Sequence, residues 1–370
     1  MATLMQQFQS LRTRNALHWD SQYEGLRYVG QGGQGVVYHC ERAGVDGFRI
    51  PIALKAFSPN VYASASDYIS DMGRMAEVAM HVSQLQCHQL LNVHNFIEDD
   101  GIRVMVMEWV NGYDLRHLLH PVTLTWVGDH LSDSQKAQLN DVVITKGFHH
   151  SRLKPGIAIQ ILRESLTGLA SLHRVGVAHG DIKPSNVMVN QTGDVQLVDL
   201  GSAVDMEKGG ARTSWTPAYA AVEILDGAPK SAQTDLASLG FVLVEMLAGC
   251  RLFKEAESID ALREAKQQLP DRLQSLLPSD VARNKDLVSL CQGLIHPDPG
   301  KRIATAEEAN LVRAADLHRQ LVKTGLDSEY ANDLRVLMEQ LPNSNPTENT
   351  EAGTEDISNS MIGDAATIPM

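Results

Sequence analysis

The 370-residue sequence has few cysteines, no excess of basic residues and no long uninterrupted apolar run. Its cysteines lie far apart and form no Cys-x-x-Cys pair; they are Cys40, Cys87, Cys250 and Cys291. This spacing argues against a zinc site or a disulfide framework. It predicts reduced thiols in a protein with a cytoplasmic location.

Positive charge is scarce, since 32 lysines and arginines stand against 45 aspartates and glutamates, giving a formal net charge of −13. A general nucleic-acid-binding protein is usually basic, so no nucleic-acid partner is expected. The longest apolar run, residues 236–248, contains Glu245 and is shorter than the roughly 20 residues that a membrane span needs. Residues 1–20 lack the apolar segment of a signal peptide, so no membrane partner is expected.

Hydrophobic residues make up 43% of the chain, and its length suits one large two-lobed domain with extensions. Short apolar runs with glycine turns predict a sheet with one helix in the first part, and helical patterning dominates after Gly112. Residues 121–154 break this periodicity and are interpreted as an insertion or a long loop. The predicted segments are an N-terminal leader or short helix (1–22), a sheet-rich lobe (23–107), a hinge (108–111), a helical lobe (112–317), a helical extension (318–341) and a disordered acidic tail (342–370).

Three glycines follow the first predicted strand at the spacing Gly-x-Gly-x-x-Gly: Gly30, Gly32 and Gly35. Glycine lets a turn approach phosphate groups closely because it has no Cβ. The residues after Gly35 are β-branched and aromatic, which predicts a second strand where a Rossmann fold would have a helix. From this motif alone, a hairpin over phosphates and an ordinary turn remain equally open.

Five polar residues farther along the chain carry the stronger signal. Lys55 ends an apolar strand, where a lysine is usually exposed but can also reach a phosphate. In "HGDIKPSN" (179–186) Asp181 can deprotonate a hydroxyl, Lys183 can neutralise a phosphoryl group and Asn186 can offer oxygen to a metal ion. Asp199 in "VDLG" suits Mg²⁺, although an aspartate that only caps a turn is the plainer interpretation of that motif alone.

The order of these motifs resembles the eukaryotic-like (Hanks-type) serine/threonine protein kinase family, in a style typical of a bacterial member. The resemblance covers residues 23–317. It implies an α+β, protein-kinase-like two-lobed fold, with a small antiparallel β-sheet lobe carrying one αC helix and a larger, mainly helical lobe. It also implies that ATP and Mg²⁺ (or Mn²⁺) bind between the lobes.

The resemblance implies a role for each matching residue. Asp181 is the catalytic base, Lys183 and Lys55 act on the phosphates, and Asn186 and Asp199 hold the metal. The αC glutamate of the family is assigned to Glu77, the only acidic residue in the matching part of the helix. Counting back from the next strand puts the expected position of this glutamate one or two residues later, at 78 or 79. The residues implied in ATP binding are Val29, Gly30, Gly32, Gly35, Val37, Ala53, Lys55, Glu77, Met107, Glu108, Val110 and Met188.

Four further residues match the large lobe of the family. Thr216 in "TPAYAAVE" fits the threonine of the substrate loop in Ser/Thr-specific enzymes. Glu223 is expected to form a buried ion pair with Arg302, and Asp235 is expected to anchor the catalytic loop.

The sequence departs from the family at three motif positions. Gly180 replaces the arginine that normally reads a phosphate on the activation segment, so phosphorylation-dependent switching of the usual kind is not expected. Asp-Phe-Gly is Asp-Leu-Gly here, and Ala-Pro-Glu is Ala-Val-Glu. The candidate regulatory hydroxyls in that segment are Ser202, Thr213 and Ser214.

The implied function is ATP-dependent phosphorylation of Ser/Thr hydroxyls on protein substrates in signal transduction, with autophosphorylation as a further reaction. One alternative is a pseudokinase scaffold that binds ATP without turnover, which predicts loss of a key catalytic residue. The other alternative is an aminoglycoside-type phosphotransferase, which also uses His-Gly-Asp; Lys183 and Arg302 favour a protein kinase over it. No sequence feature indicates an oligomeric state.

Overall fold

The computed structural model describes residues 2–12, 16–17, 23–209, 215–323 and 330–342. The candidate hydroxyls Thr213 and Ser214, and all but the first residue of the predicted acidic tail, lie outside the described residues.

The first lobe is an antiparallel sheet with one long helix against it. The elements are α1 (Ala2–Leu11), β1 (Ala16–Leu17), β2 (Tyr23–Gly32), β3 (Gly35–Ala43), β4 (Arg49–Phe57), α2 (Ala65–Ser83), β5 (Val93–Asp99) and β6 (Ile102–Glu108). The strands are arranged in the order β1-β2-β3-β4-β6-β5.

Strand β4 shows how the sheet separates its two faces. Side chains alternate along a strand, and Ile52 and Leu54 pack in a core on the outer face of the sheet. Ala53 and Phe57 belong to the core on the other face, with α2. Lys55 shares this second face with them, so the alternation of β4 points its ammonium group towards the second lobe.

Helix α1 lies within the predicted N-terminal leader and packs on the sheet. Phe8 and Leu11 are both buried and join the outer core of the first lobe. Apolar residues of α1 thereby cover part of the sheet that would otherwise face water.

The second lobe is mainly helical, and its short strands form two antiparallel pairs and one three-stranded antiparallel sheet. Together with the sheet lobe, it confirms the predicted α+β two-lobed fold. Its elements are β7 (Gly112–Asp114), α3 (Leu115–Leu118), α4 (Pro121–His130), α5 (Asp133–Val142), β8 (Ile144–Lys146), β9 (Ser151–Leu153), α6 (Pro155–Arg174), β10 (Val177–Ala178), β11 (Val187–Asn190), β12 (Val195–Leu197), β13 (Val204–Asp205), α7 (Val222–Leu225), α8 (Ala232–Ala248), α9 (Ile259–Leu276), α10 (Ser279–Ala282), α11 (Lys285–Ile295), α12 (Ala306–Glu308), α13 (Ala315–Lys323) and α14 (Tyr330–Gln340).

Helix α8 forms the centre of this lobe. It is apolar around its whole circumference, as expected for a helix that is buried on every side, and it packs against α6 and α11. A capping box between Ser231 and Thr234 fixes its first turn. The first turn also carries Asp235, so a rigid central helix positions this carboxylate.

Residues 121–154 are not a long irregular loop, which corrects one part of that interpretation. Pro121 stands at the start of α4, and Ser132 and Gln135 form a capping box at the start of α5. Strands β8 and β9 then pair with each other. The apolar residues of α4 do not lie on one face and α5 is mostly polar, so hydrophobic periodicity did not reveal these helices. The capping residues nevertheless fix both helix starts.

The described C-terminal residues pack against the second lobe. A π-helical turn, Ala309–Ala314, joins α12 to α13, and Leu334, Leu337 and Met338 of α14 are buried. The indole nitrogen of Trp126 in α4 donates a hydrogen bond to the Gln340 carbonyl (3.0 Å). Of the helices in the described ranges, none is long and apolar enough to cross a lipid bilayer.

Candidate active site

Asp235 holds the backbone at the start of the candidate catalytic loop. Its two carboxylate oxygens accept hydrogen bonds from the backbone N–H groups of His179 and Gly180, each at 2.8 Å. His173 also contacts this carboxylate, at 2.9 Å. Burial acts to raise the pKa of Asp235, but the histidine and the N–H donors outweigh burial and lower the pKa below its usual value. Asp235 is therefore a buried anion that ties the loop to α8.

Asp181, Lys183 and Thr216 form a closed triangle of polar contacts. One carboxylate oxygen of Asp181 accepts hydrogen bonds from the Thr216 hydroxyl (2.8 Å) and backbone N–H (3.1 Å). The other accepts from the Lys183 ammonium (2.7 Å), which also donates to the Thr216 hydroxyl (3.1 Å). The side chain of Asp181 is 11% exposed and that of Lys183 is 25% exposed. Asp181 and Thr216 are 35 residues apart in sequence but in direct contact. Together with Lys183, they can therefore act on one hydroxyl group.

The predicted metal ligands Asn186 and Asp199 lie on adjoining pieces of backbone. Val198, next to Asp199, donates its N–H to the Asn186 carbonyl (3.0 Å). The Asn186 side-chain nitrogen donates to the Asp181 carbonyl (2.8 Å), which directs the amide oxygen away from that bond. A carboxylate and an amide oxygen are ligands that Mg²⁺ accepts, so these residues fit a divalent cation.

Lys55 is buried, and its ammonium forms an ion pair with the Asp199 carboxylate. Burial acts to raise the pKa of Asp199, but the Lys55 ammonium outweighs burial and holds this pKa well below its usual range. Lys55 also donates a hydrogen bond to the side-chain oxygen of Gln34 (2.9 Å). Lys55 thus places a buried ammonium beside the predicted metal ligand Asp199.

The candidate glycine loop is the hairpin between β2 and β3. Gly32 and Gly35 are paired residues on either side of the two-residue turn, and a strand follows rather than a helix. A Cβ on Gly35 would overlap the Ala56 carbonyl of β4, so this position requires glycine. Gln34, at the tip of the turn, reaches down and donates to the Ser202 hydroxyl (2.7 Å).

The remaining residues predicted to bind ATP lie on five strands, β2, β3, β4, β6 and β11, and on the segment after β6. Val37 is paired with Lys55, and Ala53 with Met107, in the sheet. The exposed Val29 is on β2, Met188 is on β11, and the buried Val110 follows β6.

Glu108 ends β6 and links the two lobes at the predicted hinge. Its carboxylate accepts hydrogen bonds from the Asn92 backbone and amide, and from the Gln196 amide on β12, all at 2.9 Å.

Glu77 does not contact Lys55, which corrects the prediction that it lies at the ATP site. Its carboxylate pairs instead with Lys208 at 2.9 Å, and both side chains are more than half exposed. The inner face of α2 at this level carries the buried residues Met75 and Val78. A helix turns by about 100° per residue, so Glu77, one position before Val78, points outwards.

Glu223 and Arg302 form the predicted ion pair with two parallel hydrogen bonds, of 2.7 and 3.1 Å. The Arg302 side chain is 1% exposed and that of Glu223 is 17% exposed. Arg302 also donates to the backbone carbonyls of Gln233 (2.6 Å) and His296 (2.9 Å). The pair ties the segment after Thr216 to the base of the second lobe.

Two buried lysines near the site were not identified in the sequence analysis. Lys266 of α9 donates to the carbonyls of Ala218 and Ala220, both at 2.7 Å, and lies over the rings of Phe241 and Phe253. Burial lowers the pKa of this lysine well below its usual value. Its position on the apolar stripe of α9 is a signal that could have revealed it. The second buried lysine is Lys230.

Comparisons with known proteins agree with this arrangement. A family model described as "Protein kinase domain" matches residues 23–312. The serine/threonine-protein kinase PkaB of Streptomyces coelicolor is 27% identical, over 71% of this chain and 59% of its own length. PrkC of Bacillus subtilis, also named a serine/threonine-protein kinase, is 25% identical over 86% of this chain and 42% of its own.

A protein of Bifidobacterium longum named "Probable serine/threonine-protein kinase pknA2" is 28% identical, over 62% of this chain and 27% of its own length. This chain therefore spans less than two thirds of the length of these relatives. All three are bacterial proteins, as the style of the motifs predicts.

Proposed function

The chain belongs to the protein kinase family, and from this premise we propose that it is a serine/threonine protein kinase that uses ATP. The observation that carries the proposal is the triangle of Asp181, Lys183 and Thr216. It joins the candidate base directly to the loop that would receive a substrate hydroxyl. The names of the relatives support the same activity.

The proposed reaction is transfer of the γ-phosphoryl group to a Ser or Thr hydroxyl of a protein. Asp181 orients this hydroxyl and accepts its proton as the new oxygen–phosphorus bond forms and the bond to the β-phosphate oxygen breaks. Lys183 neutralises the transferring group, and Lys55 holds the α- and β-phosphates. A bound Mg²⁺ or Mn²⁺ ion, held by Asn186 and Asp199, would supply further positive charge at the phosphates.

The two alternative functions are less well supported. A small-molecule phosphotransferase does not need a substrate loop tied to its base, whereas Thr216 contacts Asp181 through both its hydroxyl and its N–H. A pseudokinase scaffold is disfavoured because Lys55, Asn186 and Asp199 are all retained. Autophosphorylation and a cytoplasmic location stay predictions of the sequence.

The test of the proposal is transfer of labelled γ-phosphate from ATP and Mg²⁺ to the protein itself and to a generic basic protein. Labelled phosphoserine or phosphothreonine is the expected result. ATP binding without labelled protein would favour a pseudokinase. ATP consumption with a kanamycin-like acceptor, and none with protein, would favour the small-molecule enzyme.

The exposed position of Glu77 leads to a prediction that distinguishes it from Lys55. We expect Glu77→Gln to change kcat/KM for ATP by less than about threefold, because exposed ion pairs contribute little. Lys55→Met should lower the same quantity by roughly 100-fold or more, because it removes the buried charge proposed to hold the phosphates. Steady-state kinetics with varied ATP measures both variants.

Lys208→Gln is the matched control, since it removes the other partner of the exposed pair and should behave like Glu77→Gln. A loss in Glu77→Gln as large as that in Lys55→Met would contradict the prediction. It would mean that α2 rotates during turnover and brings Glu77 to the phosphates.

A further inference from the structure

Gly180 leaves a space beside the catalytic loop that another residue fills. Its φ is +75°, in the left-handed region that favours glycine. A Cβ at this position would lie 2.5 Å from Cδ of Lys230, 2.7 Å from the carbonyl oxygen of Ser202 and 2.8 Å from the ammonium of Lys230. The Lys230 side chain therefore occupies the volume that a side chain at position 180 would need.

Lys230 lies just before α8, and its side chain runs into the lobe. The residue is 5% exposed, and its ammonium donates a hydrogen bond to the Ser202 carbonyl (2.9 Å). Burial lowers the pKa of Lys230 to about 8, and the carboxylates of Asp181, Asp235 and Asp199 oppose this effect. The ammonium is therefore still largely protonated at pH 7.

The partner of Lys230 belongs to the turn that carries Asp199. Ser202 ends the 3-10 turn Leu200–Ser202. Asp199 is the N-cap residue of this turn, and its side chain accepts a hydrogen bond from the backbone N–H of Gly201. The next residue, Ala203, donates its N–H back to Leu200 in the same turn. Fixing the Ser202 carbonyl therefore fixes the direction in which the turn presents Asp199.

We propose that Lys230 is a positioning residue, which fixes the Asp199 turn against the catalytic loop with a buried positive charge. The start of α8 then holds both halves of the site, the catalytic loop through Asp235 and the Asp199 turn through Lys230. Gly180 is required because any side chain there would displace Lys230. The inference rests on the proposed kinase activity and assigns this residue a part in it.

The first test compares Lys230→Met with Lys285→Met, which removes the same charge from an exposed position on α11. Methionine fills a similar volume without charge or donor. We expect kcat to fall at least about tenfold in Lys230→Met, because small misplacements in an active site are costly. Lys285→Met should stay within about twofold of the wild type, since it lies away from the reacting groups.

The thermal stability of Lys230→Met separates positioning from a merely structural role. Removing the buried ammonium removes its desolvation cost but leaves the Ser202 carbonyl without this donor. Because the two effects oppose each other, the melting temperature should stay within about 2 °C of the wild type while kcat falls. A structural role predicts that stability and kcat fall together, and that outcome would overturn the proposal. If Lys230→Met does not fold, Lys230→Gln provides the same comparison with a donor group retained.

Hydrogen exchange supplies a readout that does not depend on activity. The N–H groups of Ala203 and Met206, bonded to Leu200 and Gly176, should exchange faster in Lys230→Met than in the wild type. Unchanged exchange together with unchanged kcat would refute the inference. A wild type without phosphoryl transfer would refute the proposed function instead, and the exchange measurement would still decide the role of Lys230.

Discussion

Replacing Asp181 with asparagine is expected to lower kcat by roughly 10²- to 10⁴-fold, the range typical of removing a general base. The KM for ATP should change by less than about threefold, because Asp181 faces the acceptor hydroxyl and not the nucleotide. Asparagine has nearly the same shape as aspartate but cannot accept the proton. Steady-state phosphorylation of a protein substrate measures both constants.

The surroundings of Asp181 explain why the loss should appear in kcat. The carboxylate accepts three hydrogen bonds, from the Lys183 ammonium and from two donors of Thr216. An asparagine oxygen can keep the Thr216 bonds, but the amide nitrogen then faces the Lys183 ammonium as a second donor. The variant therefore loses the proton acceptor and also the counter-charge that directs Lys183.

Asp194→Asn is the matched control. Asp194 is exposed in the turn between β11 and β12, where its carboxylate accepts from the Thr192 hydroxyl. The same chemical change there should leave kcat within about twofold, as is usual for surface substitutions. An Asp181→Asn enzyme that kept more than a third of the wild-type kcat would show that another group takes the proton.

The catalytic loop could be predicted because its chemistry is local in the sequence. Asp181, Lys183 and Asn186 lie within six residues, and a short loop between strands brings such side chains to one place without help from distant packing. The hairpin before Lys55 was also predictable, since β-branched residues after the glycines exclude a helix. The two-lobed fold could be predicted because the order of these motifs resembles the protein kinase family, which implies that fold.

Glu77 shows where sequence reasoning fails. Hydrophobic periodicity identified the helix now seen as α2, but an error of one residue rotates a side chain by about 100°. The partner that Glu77 contacts, Lys208, is 131 residues farther along the chain. No local pattern indicates such a contact, so its direction could only come from the folded structure.

The burial of two lysines could not be predicted from the sequence, for a different reason. Lysine is almost never fully buried unless its charge is paired or hydrogen-bonded, so a sequence alone places it at the surface. Lys230 and Lys266 are buried because backbone carbonyls of distant segments accept their hydrogen bonds. Those carbonyls belong to a short 3-10 turn and to the irregular segment around Ala218 and Ala220, whose paths the sequence does not reveal.

Replacing Arg302 with methionine is expected to lower the free energy of unfolding by about 3–5 kcal/mol, the usual cost of breaking a buried ion pair. The guanidinium is almost fully buried and also bonds the carbonyls of Gln233 and His296. Its loss leaves these acceptors and the Glu223 carboxylate without a buried donor. Urea unfolding at equilibrium measures the change.

The double variant Glu223→Met with Arg302→Met tests whether an unpaired charge causes this loss. Removing Glu223 as well removes the orphaned carboxylate, so the double variant should be no less stable than Arg302→Met alone. Arg335→Met is the control, because it breaks an exposed pair with Glu339 on α14 and should shift the urea midpoint far less. If the two single losses simply add, the pair contributes no coupling. The stability would then come from the bonds of Arg302 to the backbone carbonyls, and the activation segment would be held by those bonds and not by Glu223.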